Sequence, residues 1–171
     1  MAGPDSGAAD RGVSERNEER NVAAMHALLD PLRVEDSDPE RPYLMSTDRM
    51  EEYREWVTPR LNPEVEVDLS AFRVQVPGLR ERYLGMEGWW EFWATWLEGW
   101  DAYRFAAKDW QTIGDHVIYE LDVTAAGRQS GVPVAMRVTQ VWSFRDGKLY
   151  RLAMFPSRRR ALAAIERESN G

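Results

Sequence analysis

Two polar side chains stand inside strand-like runs whose alternate positions are apolar. Asp68 belongs to a segment in which Val65, Val67 and Leu69 alternate with Glu66, Asp68 and Ser70. Gln140 lies in the apolar set Val132, Val134, Met136, Val138, Gln140, Trp142 and Phe144, opposite Ala135, Arg137, Thr139, Val141 and Ser143. A carboxylate at an apolar pocket wall can shuttle a proton between carbons of a bound substrate. An amide can donate to a carbonyl oxygen, as in oxyanion stabilisation, but cannot act as an acid. Each has a plainer alternative. Asp68 shares its side with Glu66 and Ser70, as an exposed acid would, and Gln140 can be a buried amide satisfied by backbone.

The other chemical candidates are weaker. Asp122 and Arg137 fall on neighbouring strands and suit a cross-strand ion pair. Arg137 alternates with the apolar set and so faces away from it. His116 follows a Gly-Asp turn at a strand start and reads as solvent-facing. His26 lies on the apolar side of the first helix, where a core histidine is expected, with reach toward a pocket as the alternative. No cysteine exists, and the two histidines share no ligand-like spacing. No metal site is therefore expected. No dinucleotide, phosphate-loop, zincin or calcium-loop signature occurs, so no cofactor is expected either.

These residues need a scaffold, and the run from Met86 to Trp100 supplies its most distinctive part. It holds five of the eight tryptophans, and Trp89, Trp93, Trp96 and Trp100 recur at helical spacing beside Phe92. So aromatic a face must meet a broad apolar surface. With Tyr53, Trp56, Tyr103, Tyr119, Met136, Trp142 and Phe155, the residues Trp89, Trp93 and Trp96 are the candidate lining of an aromatic cavity. Such a cavity suits a flat polycyclic or isoprenoid-like molecule. The alternative is that these rings simply fill the core. Trp90 falls off the stripe, toward a loop or a partner chain.

Around that helix the pattern predicts a polar, disordered tail over 1–14 and a single domain over 15–168. A first helix is expected over 15–30, a loop over 31–45, and a second helix from Thr47 to Leu61, ended by Asn62-Pro63. Residues 64–71 read as a half-buried strand and 72–85 as a connection. Four strands follow, at 102–113, 116–126, 132–145 and 148–155. Asp146-Gly147 is a two-residue hairpin signal. Ser157 caps a short last helix ending near Glu168. The order predicts an α+β fold with helices on one face of a sheet.

Composition narrows the function classes. The net charge of −7 comes from acids concentrated before residue 69, which disfavours nucleic acid. No apolar run approaches the roughly 20 residues that span a bilayer. The N-terminus lacks the apolar core of a secretory signal, so a cytoplasmic location is expected.

The element order and certain joints resemble the SnoaL-like branch of the nuclear transport factor 2-like (NTF2-like) superfamily. The joints are Asn62-Pro63-Glu64-Val65-Glu66-Val67, Gly85-Met86-Glu87-Gly88, the segment 105–110 followed by Gly114-Asp115, and Val141-Trp142-Ser143-Phe144-Arg145-Asp146-Gly147-Lys148. The resemblance covers about residues 17–168. It implies a cone-shaped roll, with N-terminal helices packed on a curved, mostly antiparallel sheet enclosing an apolar pocket, often in a homodimer. It implies polyketide cyclase, isomerase, dehydratase or epoxide hydrolase chemistry, or binding alone. It places a general base near Asp68. At about Gln140 such enzymes carry an acid, and this chain has an amide instead. The resemblance also suggests a hydrolase-like network of Asp122, Arg137 and Asp68. Three functions follow as expectations. One is a cofactor-independent isomerase, cyclase or lyase using Asp68 as base and Gln140 or Tyr53 as donor. The second is a binder of a small apolar molecule. The third is a homodimeric module joined through the outer sheet face at Ala135, Thr139, Val141 and Ser143.

Overall fold

The computed structural model describes residues 6–35, 39–73 and 76–171. Four helices are described: α1 (Ser6–Leu29), α2 (Met50–Val57), α3 (Gly85–Glu98) and α4 (Arg158–Ser169). Seven strands form one sheet: β1 (Tyr43–Met45), β2 (Leu61–Asp68), β3 (Arg82–Leu84), β4 (Trp100–Ile113), β5 (His116–Gly127), β6 (Pro133–Arg145) and β7 (Lys148–Phe155). Their spatial order is β1-β4-β5-β6-β7-β2-β3, and every pairing is antiparallel except β2 with β7. This is the expected α+β cone, with the N-terminal helices packed against the sheet.

The four long strands follow from alternation of β-branched and aromatic residues, and register is held where one face is buried. Tyr119, Leu121 and Val123 on β5 stand beside Gln140, Val138 and Met136 on β6. These residues face the main core, shared with Trp89, Phe92, Trp93, Trp96, Leu152 and Met154. At the last hairpin, Asp146 and Gly147 both take positive φ, 52° and 75°, between the paired residues Arg145 and Lys148. That is the two-residue turn whose twist matches the strands, as the dipeptide predicts.

α3 begins at Gly85, whose φ of +71° suits glycine, and lies close on β3 at Gly88. A Cβ on Gly88 would stand 3.0 Å from the Tyr83 carbonyl carbon, so only glycine lets the helix approach this far. Trp89 and Trp96 are then fully buried, with Trp93 nearly so.

Several expectations are corrected. α1 starts at Ser6, so residues 6–14 are helical where a disordered tail was expected; residues 1–5 lie outside the described chain. Its C-terminal half is anchored by Met25, Leu28 and Leu29, and a nucleated helix extends cheaply into a solvated run. The second helix stops at Val57, and a 3₁₀ turn through Pro59 leads into β2 at Leu61. β1 and β3 occupy segments expected to be loops. α4 packs on the opposite face from the other helices. There Ala161 and Ile165 join Ile118, Val141, Ala153 and Phe155 in a second apolar cluster. Ser157 caps this helix as expected, its Oγ accepting from the Arg160 amide at 3.3 Å. No described helix is long and apolar enough to cross a membrane.

Candidate functional site

The cavity lies between α3, the C-terminal end of α1 and the turn after it, β1, α2 and the inner face of β4–β6. Leu29, Leu32, Met45, Tyr53, Trp89, Trp93, Tyr103, Phe105, Tyr119, Leu121, Gln140 and Trp142 line it. Its volume is ≈ 20 Å³, room for about one water. The rings that enclose it meet at their edges. Tyr119 and Trp142 stand 5.6 Å apart and nearly perpendicular, and Trp89 meets Trp93 at 5.9 Å. Such edge-to-face pairs are the favoured aromatic geometry.

Gln140 is the one amide in this wall, 3% exposed. Two residues along the same face of β6, the Trp142 indole Nε1–H donates to Gln140 Oε1 at 2.8 Å. An indole nitrogen only donates, so the amide oxygen must point toward it and the amide nitrogen away. The buried indole nitrogens of Trp89 and Trp93 and the Tyr119 hydroxyl have no hydrogen-bond partner among the described residues. Burial pushes the phenols of Tyr53, Tyr103 and Tyr119 well above their ordinary value. They therefore stay protonated, and among the described residues no carboxylate, histidine or cationic side chain lines the cavity.

Many of the residues expected to surround a cavity stand at this wall. Tyr53, Trp89, Trp93, Tyr103, Tyr119, Gln140 and Trp142 all line it. Trp96 is fully buried behind it, and Met136 packs on the core without reaching it. Trp56 is 42% exposed, with Arg60 3.7 Å over its ring and its Nε1–H donated to the Ala27 carbonyl at 2.7 Å. Phe155 belongs to the second cluster under α4. Trp90 packs edge-on against Tyr53 at 6.3 Å, on its own chain's α2. Residues sequence reasoning missed are Leu29, Leu32, Met45, Phe105 and Leu121; Met45 sits on the unrecognised β1.

Asp68 is on the other face of the sheet. It is 5% exposed yet points away from the cavity, because its strand neighbours Val65 and Val67 are the alternate residues that enter the main core. Its carboxylate accepts from Arg151 Nη2 at 2.7 Å, from Ser70 Oγ at 2.6 Å and from the Ser70 amide at 2.9 Å. Arg82 stands 3.5 Å away. Burial alone would raise its pKa. The Ser70 and Arg151 hydrogen bonds and the Arg151 charge outweigh that and hold it below the usual carboxylate range. Arg151 also reaches Glu168 of α4 at 2.6 Å, and these two acids raise its own pKa against the pull of burial. Asp68 is thus ion-paired, on the wall of a separate surface pocket that it shares with Arg82, Arg151 and Glu168.

The hydrolase-like network does not assemble. Asp122 and Arg137 are opposite each other in the β5–β6 register, but Asp122 turns to Arg41 Nη2 at 3.4 Å. His116 Nδ1 is 2.7 Å from Ser143 Oγ on the outer face. Burial lowers its pKa, opposed by the Glu168 and Asp115 charges and assisted by Arg151. His26 packs edge-on against Trp110 at 5.1 Å, in an open groove between α1 and β4. Among the described residues, no group of three acids, histidines or cysteines is placed to hold a metal.

Residues 70–152 match the SnoaL-like domain family. TerC, crystallised with polyporic acid, superposes with a TM-score of 0.59 at 20% identity, over 86% of this chain and 98% of that one. A protein from Jannaschia sp. CCS1, titled as a candidate SnoaL-like polyketide cyclase, gives 0.60 at 17% identity, over 86% and 92%. An NTF2-like protein of unknown function from Burkholderia pseudomallei K96243 gives 0.59 at 12%, over 84% and 95%. No curated protein matches by sequence. At these identities the likeness to the solved structures is one of fold, and the domain match over residues 70–152 bears out the expected resemblance to the SnoaL-like branch of the NTF2-like superfamily.

Proposed function

We propose that this chain, with its SnoaL-like domain on an NTF2-like fold, binds a small hydrophobic molecule in the cone cavity without acid–base turnover. One observation carries the reading: among the described residues the cavity wall is aromatic and aliphatic, with Gln140 as its only non-aromatic polar side chain. Proton transfer between carbons needs a group that can take a proton near neutral pH. The phenols at this wall are held protonated, and the carboxylate with the strongest claim, Asp68, is ion-paired on the other face. TerC's crystallisation with polyporic acid is in keeping with a small-molecule role for the fold.

The test is titration with polycyclic and isoprenoid compounds, followed by tryptophan fluorescence and by product analysis of the same mixtures. Saturable fluorescence change with unaltered ligand supports binding. Product formation that survives Asp68→Asn but not Gln140→Met favours catalysis from the cavity and overturns the binder reading.

A homodimer through the outer face is a further proposal. α4 already covers Val141, so a second copy would use the part of the face around Glu120, Asp122, Thr124 and Arg137. Light scattering tests it, and a monomeric mass in dilute solution sinks it.

A further inference from the structure

We infer that the cavity selects a ligand bearing a carbonyl-type acceptor over the same skeleton bearing a hydroxyl, and that Gln140, held by Trp142, makes the distinction. The inference rests on the binding reading above and adds a chemical requirement to it.

The polar atoms at the cavity wall are unevenly divided between donors and acceptors. Trp89 and Trp93 offer indole N–H groups, which cannot accept, and neither has a partner. The Gln140 oxygen is occupied by the Trp142 indole, so the amide nitrogen, with two N–H donors, is the end left for a ligand. Turning that amide over would set N–H against N–H. The Tyr119 hydroxyl is fully buried and unpartnered. The acceptors that remain are phenol oxygens and the second lone pair of Gln140 Oε1. A carbonyl oxygen brings lone pairs and no hydrogen, so each donor it meets gains a partner. A hydroxyl must also place its hydrogen, where few acceptors are free.

Buried donors without acceptors are rare in folded proteins and costly relative to paired ones. A ligand that supplies the acceptor therefore recovers free energy that a hydrocarbon cannot. The cavity of ≈ 20 Å³ admits such a molecule only if rings turn aside. Trp93, at 7% the most exposed of the lining residues, is the ring best placed to move.

The experiment uses the full chain and a matched trio: 1-tetralone, 1-tetralol and tetralin. Dissociation constants are read by ligand-observed NMR. The ketone is expected to bind about tenfold tighter than the hydrocarbon and about fivefold tighter than the alcohol, the difference one or two hydrogen bonds make. Trp142→Phe frees the Gln140 oxygen, so the ketone-to-alcohol ratio should fall toward one whatever the variant does to the affinity for tetralin. A merely structural role for Trp142 would weaken all three alike. Should that variant fold poorly, Gln140→Met removes the amide at similar volume and should abolish the ketone preference. Equal binding of ketone and alcohol by the unaltered chain overturns the inference and leaves the apolar-binding reading standing. Binding of tetralone undiminished in Gln140→Met overturns the assignment to Gln140. Binding of none of the three overturns both readings.

Discussion

Arg151 Nη2 lies 2.7 Å from Asp68 Oδ2 across the parallel β2–β7 pairing, on the sheet face turned away from the cavity. The same guanidinium holds Glu168 through its other nitrogen, so one side chain ties β2, β7 and α4 together. A residue that the family resemblance marks for chemistry is used here for fastening.

Asp68→Asn should therefore leave cavity binding unchanged and cost stability. The variant keeps shape and loses the charge that Arg151 faces. Glu168 still serves Arg151, so the loss should be about 2 kcal/mol, the scale of a charged hydrogen bond. Urea unfolding measures it. A loss of ligand affinity at unchanged stability would contradict the placement of Asp68.

Stability should fall in two steps on acidification. His116 has a lowered pKa in the folded chain, so the unfolded chain takes up its proton first. Stability then declines as pH drops below about 6.5, the ordinary histidine value, and levels once the folded histidine also titrates. Asp68 is likewise lowered. Its contribution is present above about pH 4 and is lost as pH falls through its folded pKa. Denaturant midpoints from pH 8 to pH 3 test this. His116→Gln should remove the first step and keep the second.

Gly88→Ala should destabilise by about 1–3 kcal/mol, the usual cost of overpacking. The added methyl meets the Tyr83 backbone at 3.0 Å, and backbone cannot swing aside as a flexible side chain can. Thermal unfolding reads the effect. A neutral result would mean that α3 lifts from β3 easily.

Tyr119→Phe should raise or preserve the stability of the free protein. Its hydroxyl is buried without a partner, and removing such a group relieves an unpaid desolvation of about 1–3 kcal/mol. A fall in unfolding temperature would show that the hydroxyl is satisfied by bound water.

The legible parts of the sequence were those with long periodicity or strict turn chemistry. The tryptophan stripe, the four long strands, Asp146-Gly147 and the Ser157 cap are all set by local rules. β1 and β3 have three residues each, too short to show a period, and exist because β4 and β2 offer them an edge. Phe155 falls on the face opposite to the expected one, because Leu152, Ala153, Met154 and Phe155 are all buried, which erases alternation. Asp68 teaches the opposite lesson. The alternation of Glu66, Asp68 and Ser70 places it outward, whereas the family resemblance implies a place in the pocket. Arg151 and Glu168, which explain its burial, are far along the chain.

The parallel pairing of β2 with β7 also governs when the molecule can be finished. β2 ends at residue 68 and β7 begins at residue 148, so a growing chain carries β2 and β3 for some eighty residues before their neighbour exists. Closing so long a loop is the slow kind of step in folding. The early strands must wait, with their apolar side chains, for the last hairpin to emerge. A chain cut short before Lys148 would lack the strand that joins its two ends.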